Sequence, residues 1–205
     1  KILAFLLKVT DTVVKHRNRI IAGVVGLVAI VALVFGIQTY LRNKEIRAFN
    51  RLAAVSPTAA PGEADNVPVT EGEKSPYRLL YEKYGGTMAG KMAGLRYADA
   101  CYQSGDFSSA IAIYKKLSKN FSDSPFFRQL ALSSLGYAYE AAGEKAQARA
   151  CFEKIVADPE AVLKDEALFN LARLWEETRA QEKSRELFAT LAADYPDSLY
   201  ADLAK

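Results

Sequence analysis

Histidine and tryptophan each occur once in this sequence, and cysteine only twice, as Cys101 and Cys151. No CxxC pair or His/Cys spacing is present, which excludes a zinc site of the usual design. Both cysteines fall in apolar helical stripes and read as small buried hydrophobes. The lone histidine, His16, sits among N-terminal cations, so no histidine-containing triad can be assembled further along the chain. The carboxylates there are scattered as on solvated helix faces. The expectation is a protein that is not an enzyme, with no cofactor, no metal and no small-molecule substrate.

Positive charge is also scarce where a nucleic-acid binder would need it. Nine Lys/Arg against two acids lie before residue 54, whereas the rest carries 18 cations against 22 acids. The net charge of +3 therefore describes one end of the chain. No basic stripe is left for phosphates, and no nucleic-acid partner is expected. A phosphate loop is incomplete too. Gly85–Lys91 (GGTMAGK) fits seven positions of G-x-x-x-x-G-K, but Met92 stands where a hydroxyl must hold Mg²⁺, and a helix precedes it rather than a strand.

A long apolar run is what the chain does have. Ile20–Ile37 holds eighteen residues without a polar side chain, fenced by cations on both sides. Extended through Leu41, it makes a helix of about 30 Å, enough for a bilayer. The run exceeds the usual core of a cleaved signal peptide, and Phe35-Gly36-Ile37-Gln38 provides no small-x-small exit. An uncleaved transmembrane helix over 20–41 is expected. Lys15, Arg17 and Arg19 crowd its N-terminal boundary, which favours a cytoplasmic N-terminus. Within the span, Ala22, Gly26, Ala29, Ala32 and Gly36 share about a third of the circumference, a seam another transmembrane helix could approach closely.

Before it, KILAFLLKVTDTVVK (1–15) is amphipathic at 100° per residue. Residues 1–19 fit either an interfacial helix on the cytoplasmic membrane surface or a face packed on a partner subunit.

From residue 75 the chain repeats itself. LRYADACYQSGDFSSAIAIYKKL (95–117), LGYAYEAAGEKAQARACFEKI (135–155) and LARLWEETRAQEKSRELFATL (171–191) align. A small residue recurs at Ala98, Gly136 and Ala172, an aromatic at Tyr114, Phe152 and Phe188, and a turn residue at Gly105, Gly143 and Arg179. Each copy reads as two amphipathic helices that can bury their faces only by stacking. The linkers repeat as well, placing Thr87, Ser124 and Ser198 as N-caps and Pro125 at the first helical position.

The expected fold is all-α: an N-terminal amphipathic helix, a single transmembrane helix, then a helical-hairpin solenoid. An incomplete first repeat would cover 42–84, its first helix presenting Leu41, Ile46, Phe49 and Leu52 and its second running from Ser75 to Tyr84. A flexible Pro/Gly-rich insertion (54–75) would interrupt it. Three hairpins plus a terminal helix would fill 85–205.

The small, glycine, alanine and aromatic positions together resemble the tetratricopeptide repeat, with a period slightly above the usual 34 or so. In that resemblance, the first helix of each hairpin lines a groove for peptides. The matching stripe here holds Met92, Leu95, Asp99 and Tyr102, then Leu130, Ser133, Tyr137 and Glu140, then Glu166, Phe169, Arg173 and Glu176. Tyr and Phe interleaved with carboxylates suit an extended or amphipathic, basic peptide. They equally suit an inner wall that covers itself or meets the terminal helix. Trp175 reads as packing.

VKHRNRIIAG before the span, a helix continuing past it, and KYGGTMAGKMAGLRYADACYQSGDFSSAIAIYKKL resemble the YfgM family. That resemblance implies a single-pass protein of the bacterial inner membrane with a periplasmic repeat domain. It further implies association with the SecYEG translocon and a membrane-anchored periplasmic isomerase-like chaperone. The leading expectation is a chaperone or scaffold that binds unfolded polypeptide or a partner chaperone. The alternative is a docking subunit of another envelope complex, respiratory or secretory.

Overall fold

The computed structural model describes residues 17–55, 71–121, 124–178 and 180–204. The expected helix at 1–15, most of the insertion at 54–75 and Arg179 lie outside the described residues. Those described form helices and no strand. The chain divides into two units, residues 1–47 and 48–205.

Helix α1 (Arg17–Val55) carries a stretch long and apolar enough to cross a membrane. Its side chains are exposed from Ile21 to Leu41. All five residues of the small-residue seam share this exposure, and a Cβ added at Gly26 or Gly36 would meet nothing within 4 Å.

In the second unit, the last turns of α1 meet α2 (Glu71–Tyr84). Three hairpins follow: α3 (Met88–Gln103) with α4 (Phe107–Asn120), α5 (Pro125–Ala141) with α6 (Lys145–Val156), and α7 (Lys164–Glu176) with α8 (Gln181–Asp194). A short α9 (Leu199–Leu203) closes on α7 and α8. Every helix from α2 to α8 packs on its successor.

The turns explain why the hairpins form where they do. Gly105 and Gly143 both take φ of 80°, the left-handed region that a Cβ disfavours. Around them, Asp106 N donates to Cys101 O at 2.9 Å and Glu144 N to Tyr139 O at 2.8 Å. Those are the long-range closures of a glycine-ended helix, satisfying carbonyls that would otherwise be orphaned. Asp106 then caps the next helix by accepting from Ser109 N at 3.1 Å.

The other expected caps divide. Thr87 accepts from Gly90 N at 3.0 Å, and Ser198 from Tyr200 N at 3.2 Å. Ser124 occupies the N-cap before Pro125, but its side chain makes no capping bond. Its carbonyl accepts from Arg128 N at 3.0 Å, while Pro125 has no N–H to satisfy.

The cores follow the small/aromatic pattern. A Cβ at Gly136 would stand 2.7 Å from the Phe152 ring, so α5 and α6 can touch only because that position is bare. Phe152 is fully buried, as are Leu117, Phe121, Ile155, Leu174 and Leu191. Phe188 of the third copy is only half-buried.

One expected face is corrected. Of Leu41, Ile46, Phe49 and Leu52, only Leu52 is buried; the others stand exposed. The contact runs instead through Ala48, Leu52 and Val55, against Tyr77, Leu80 and Tyr84. Spacing of four and three keeps those three on one side of the helix, and the small Ala48 admits the tyrosine rings. Helix α2 also starts at Glu71 rather than Ser75, with Pro76 inside its second turn.

Candidate functional site

The expected groove stripe lies on α3, α5 and α7, and the structure brings most of it into one hydrogen-bonded network. Glu166 accepts from the Tyr137 hydroxyl at 2.8 Å and from the Ser133 hydroxyl. Asn170 Nδ2 donates to Tyr137 Oη at 2.8 Å and to the Glu166 carbonyl at 2.9 Å. One turn on, Arg173 Nη2 pairs with Glu140 at 2.7 Å, and Arg173 Nη1 reaches Glu177 at 3.4 Å. Lys145 Nζ holds the other Glu177 oxygen at 2.6 Å.

These bonds run between successive repeats and set how α7 sits on α5. Ser133 and Asn170 are buried polar side chains. Buried polar groups are tolerable only when paired, and here they are. Burial and then the Glu166 charge push the Tyr137 hydroxyl well above its ordinary range. The hydrogen bond that Arg173 donates to Glu140 raises the guanidinium above its ordinary value, and Lys145 holds the Glu177 carboxyl below the usual range.

The remaining stripe residues are placed differently. Asp99 accepts the Tyr114 hydroxyl at 2.5 Å, which turns it toward its own hairpin. Burial first and Asp99 second raise the Tyr114 pKa strongly. Tyr102 is half-buried and tilts against Phe107 at 5.6 Å. Leu95 is core, not groove wall. Phe169 meets Phe188 at 6.0 Å and Tyr200 of α9 at 5.6 Å, so the terminal helix covers it. Only Glu176 stands exposed outside the network.

The stripe was expected either as exposed Tyr and Phe between carboxylates or as an inner wall that covers itself or meets the terminal helix. Most of its polar groups are engaged between repeats, α5 and α7 each offering donors and acceptors to the other. Replacing Glu166 with alanine would leave the Ser133 hydroxyl unpaired and Tyr137 without its acceptor. The expected cost is about 1–3 kcal/mol, read as a lower unfolding midpoint. Tyr137→Phe, which removes the hydroxyl and leaves Glu166 its other partner, should cost less.

Sequence reasoning missed Asn170, whose signal was a polar residue inside the apolar run Leu168–Leu171. It also missed Gln129, fully buried, whose Oε1 accepts from Val162 N at 2.8 Å and ties the α6–α7 linker to α5. Trp175 packs on the cluster of Phe152, Ile155, Leu171 and Leu174, while Arg149 and Lys183 each lie 4.4 Å from its ring centroid.

The Gly85–Lys91 stretch is inter-repeat linker and helix start. Thr87 Oγ1 donates to Tyr84 O at 2.7 Å, and Lys91 Nζ donates to Asn120 O at 2.7 Å. Among the described residues no group of His, Cys, Asp and Glu could hold a metal ion. Both cysteines are buried and unbridged, and burial pushes the Cys151 thiol up to about 11.

Antiparallel helical hairpins stacked in register, with a small residue facing an aromatic, define a helical-repeat interaction domain. Residues 92–124, 130–160 and 166–198 match the tetratricopeptide repeat, so the chain contains three such repeats. Domains of this kind bind protein partners. No curated protein sequence matches the chain.

Proposed function

We propose that this chain is a membrane-anchored interaction protein of the bacterial inner membrane, its repeat domain on the periplasmic side. In this reading it serves the SecYEG translocon as a chaperone or scaffold, receiving emerging polypeptide or docking an isomerase-like chaperone. One observation carries it: an exposed apolar stretch of membrane-spanning length lies in the helix whose last turns, Ala48 to Val55, pack on Tyr77, Leu80 and Tyr84 of the repeat domain. The cation cluster before the span and the YfgM-like sequence features support the orientation and the partner. The Ala22–Gly36 seam is the surface offered to a neighbouring transmembrane helix.

A docking subunit of another envelope complex is the second reading. The closed Ser133–Glu166–Tyr137–Asn170 network favours it, since a stripe engaged between repeats suits a fixed partner elsewhere on the domain.

A topology reporter fused after Lys205 tests the anchoring, and it should be active only as a periplasmic protein. Cytoplasmic activity would sink the proposal. A photo-crosslinker in place of Glu176 separates the two readings: many nascent chains favour the first, one stoichiometric partner the second.

A further inference from the structure

The face that remains open on the repeat domain is a rim, not the stripe. Counting back ten residues from Ala98, Gly136 and Ala172 reaches Met88, Phe126 and Val162, the matching positions near the starts of α3, α5 and α7. Leu199 is the first residue of α9, one past the matching position Ser198. All four are apolar. Phe126 is 49% exposed, Val162 63% and Leu199 71%, with Leu203 one turn further at 61%.

Contacts between linkers keep these starts side by side. Lys91 of α3 bonds the Asn120 carbonyl just before α5. Arg128 of α5 pairs with Asp158 at 3.2 Å, and Gln129 holds Val162 N. Ser198 donates to Asp165 of α7 at 2.6 Å. The apolar residues at these helix starts therefore lie on adjoining repeats. Phe126 is also braced: it meets Phe127 edge-on at 5.4 Å, and Phe127 stacks on the fully buried Phe121 at 5.4 Å. A rigid, exposed aromatic of this kind is what interfaces use as an anchor.

The charge beside the row is net negative, with Lys164 two residues after Val162 and Lys119 seven before Phe126. Residues 157–163 carry Asp158 and Glu160 and no cation; residues 192–204 carry Asp194, Asp197 and Asp202 and no cation. Glu160, Asp194 and Asp197 are exposed. Of the nearby cations, Arg128 is paired with Asp158 and Lys91 is held by a carbonyl. Such a rim repels an anionic lipid surface and attracts a cation.

We propose that the Phe126–Val162–Leu199–Leu203 rim docks an amphipathic polypeptide helix whose apolar row is flanked by lysine or arginine. The apolar row supplies contact area, and Glu160, Asp194 and Asp197 select the charge of the occupant. This deepens the proposed function and rests on its reading of the domain as a polypeptide-binding platform; it moves the contact from the stripe to the rim.

The test uses the full chain in phosphatidylcholine nanodiscs, with empty nanodiscs as blank. Labelled 18-residue peptides of leucine and lysine at helical spacing, and of leucine and glutamate in the same pattern, are titrated by fluorescence anisotropy. The leucine/lysine peptide should bind saturably and at least tenfold tighter than its glutamate counterpart. The triple variant Phe126→Ser, Val162→Ser, Leu199→Ser should lose at least tenfold in affinity with its unfolding midpoint unchanged, whereas Tyr137→Phe should bind as wild type.

Equal affinity of wild type and triple variant overturns the rim and leaves polypeptide binding elsewhere on the domain. Loss confined to Tyr137→Phe, or absence of saturable binding, overturns it as well. Dissociation of a wild-type oligomer by the triple variant would name a second copy as the occupant instead. A wild-type preference for phosphatidylglycerol over phosphatidylcholine bilayers that is lost in the triple variant would name a lipid surface and overturn the peptide.

Discussion

Truncating Phe152 to alanine is expected to destabilise the repeat domain by about 3–5 kcal/mol. The ring is fully buried, faces Gly136 across the second hairpin and meets Tyr137 edge-on at 5.6 Å. Removing it loses the transfer free energy of an aromatic and leaves a cavity. Gly136 has no side chain to fill that cavity, and Tyr137 is tied to Glu166 and Asn170. Little collapse is therefore available, which puts the cost at the upper part of the usual range. Trp175, the sole tryptophan, is packed against the cluster that contains Phe152, so its fluorescence reports the loss directly. The urea midpoint should fall by more than about 1 M, given a slope of about 1–3 kcal/mol/M. A loss below about 1 kcal/mol would show that the hairpins are not held by this contact.

The second large effect is expected at Gly90, in the first turn of α3. A Cβ there would sit 1.9 Å from the Tyr84 carbonyl oxygen and 2.7 Å from Gly85 N. Both are backbone atoms of the preceding helix end, and they cannot move aside as a side-chain tip could. Alanine would gain about 0.8–1.0 kcal/mol of helix propensity over glycine. Overpacking usually costs about 1–3 kcal/mol, and a backbone clash of this depth lies at or beyond the top of that range. The clash therefore wins. Gly90→Ala should lower stability by at least about 2 kcal/mol, with the loss centred on the α2–α3 junction. Native-state hydrogen exchange would show it as faster exchange in α2 and the start of α3, with α7 and α8 little changed, because repeats interact chiefly with their neighbours. Gly86→Ala is the matched control: a Cβ there meets nothing within 4 Å. If both substitutions behaved alike, close approach would not be the reason for glycine at position 90.

Gly90 also shows the limit of the phosphate-loop resemblance. The glycines of Gly85–Lys91 do permit a close backbone approach, but what approaches is the end of α2. Thr87 and Lys91, which would face phosphate in a nucleotide loop, bond Tyr84 and Asn120 carbonyls instead.

Much of the fold was legible before any coordinates, and for local reasons. An apolar run without a polar break says membrane-length helix from eighteen side chains alone. Gly105 and Gly143 mark hairpin turns because only glycine takes φ near 80° without strain. The pairing of Gly136 with Phe152 was visible as two columns of an alignment, since each repeat must solve the same packing problem.

What the tertiary structure alone decided is rotation and partnership. A 3.6-residue period defines a helix face only to within about one residue, or 100°. That is why α1 turns Ala48 and Leu52 inward and leaves Phe49 exposed. Likewise, Ser133, Tyr137, Glu140, Glu166 and Arg173 were readable as one stripe, but not as donors and acceptors for one another. Their partners lie about 30 residues away in sequence, and only the stacking of α7 on α5 brings them within reach. The stripe, readable either as a groove or as a wall that covers itself, is largely engaged between repeats. The exposed apolar row at Phe126, Val162 and Leu199, unremarkable as sequence, became visible only once the helix starts stood side by side.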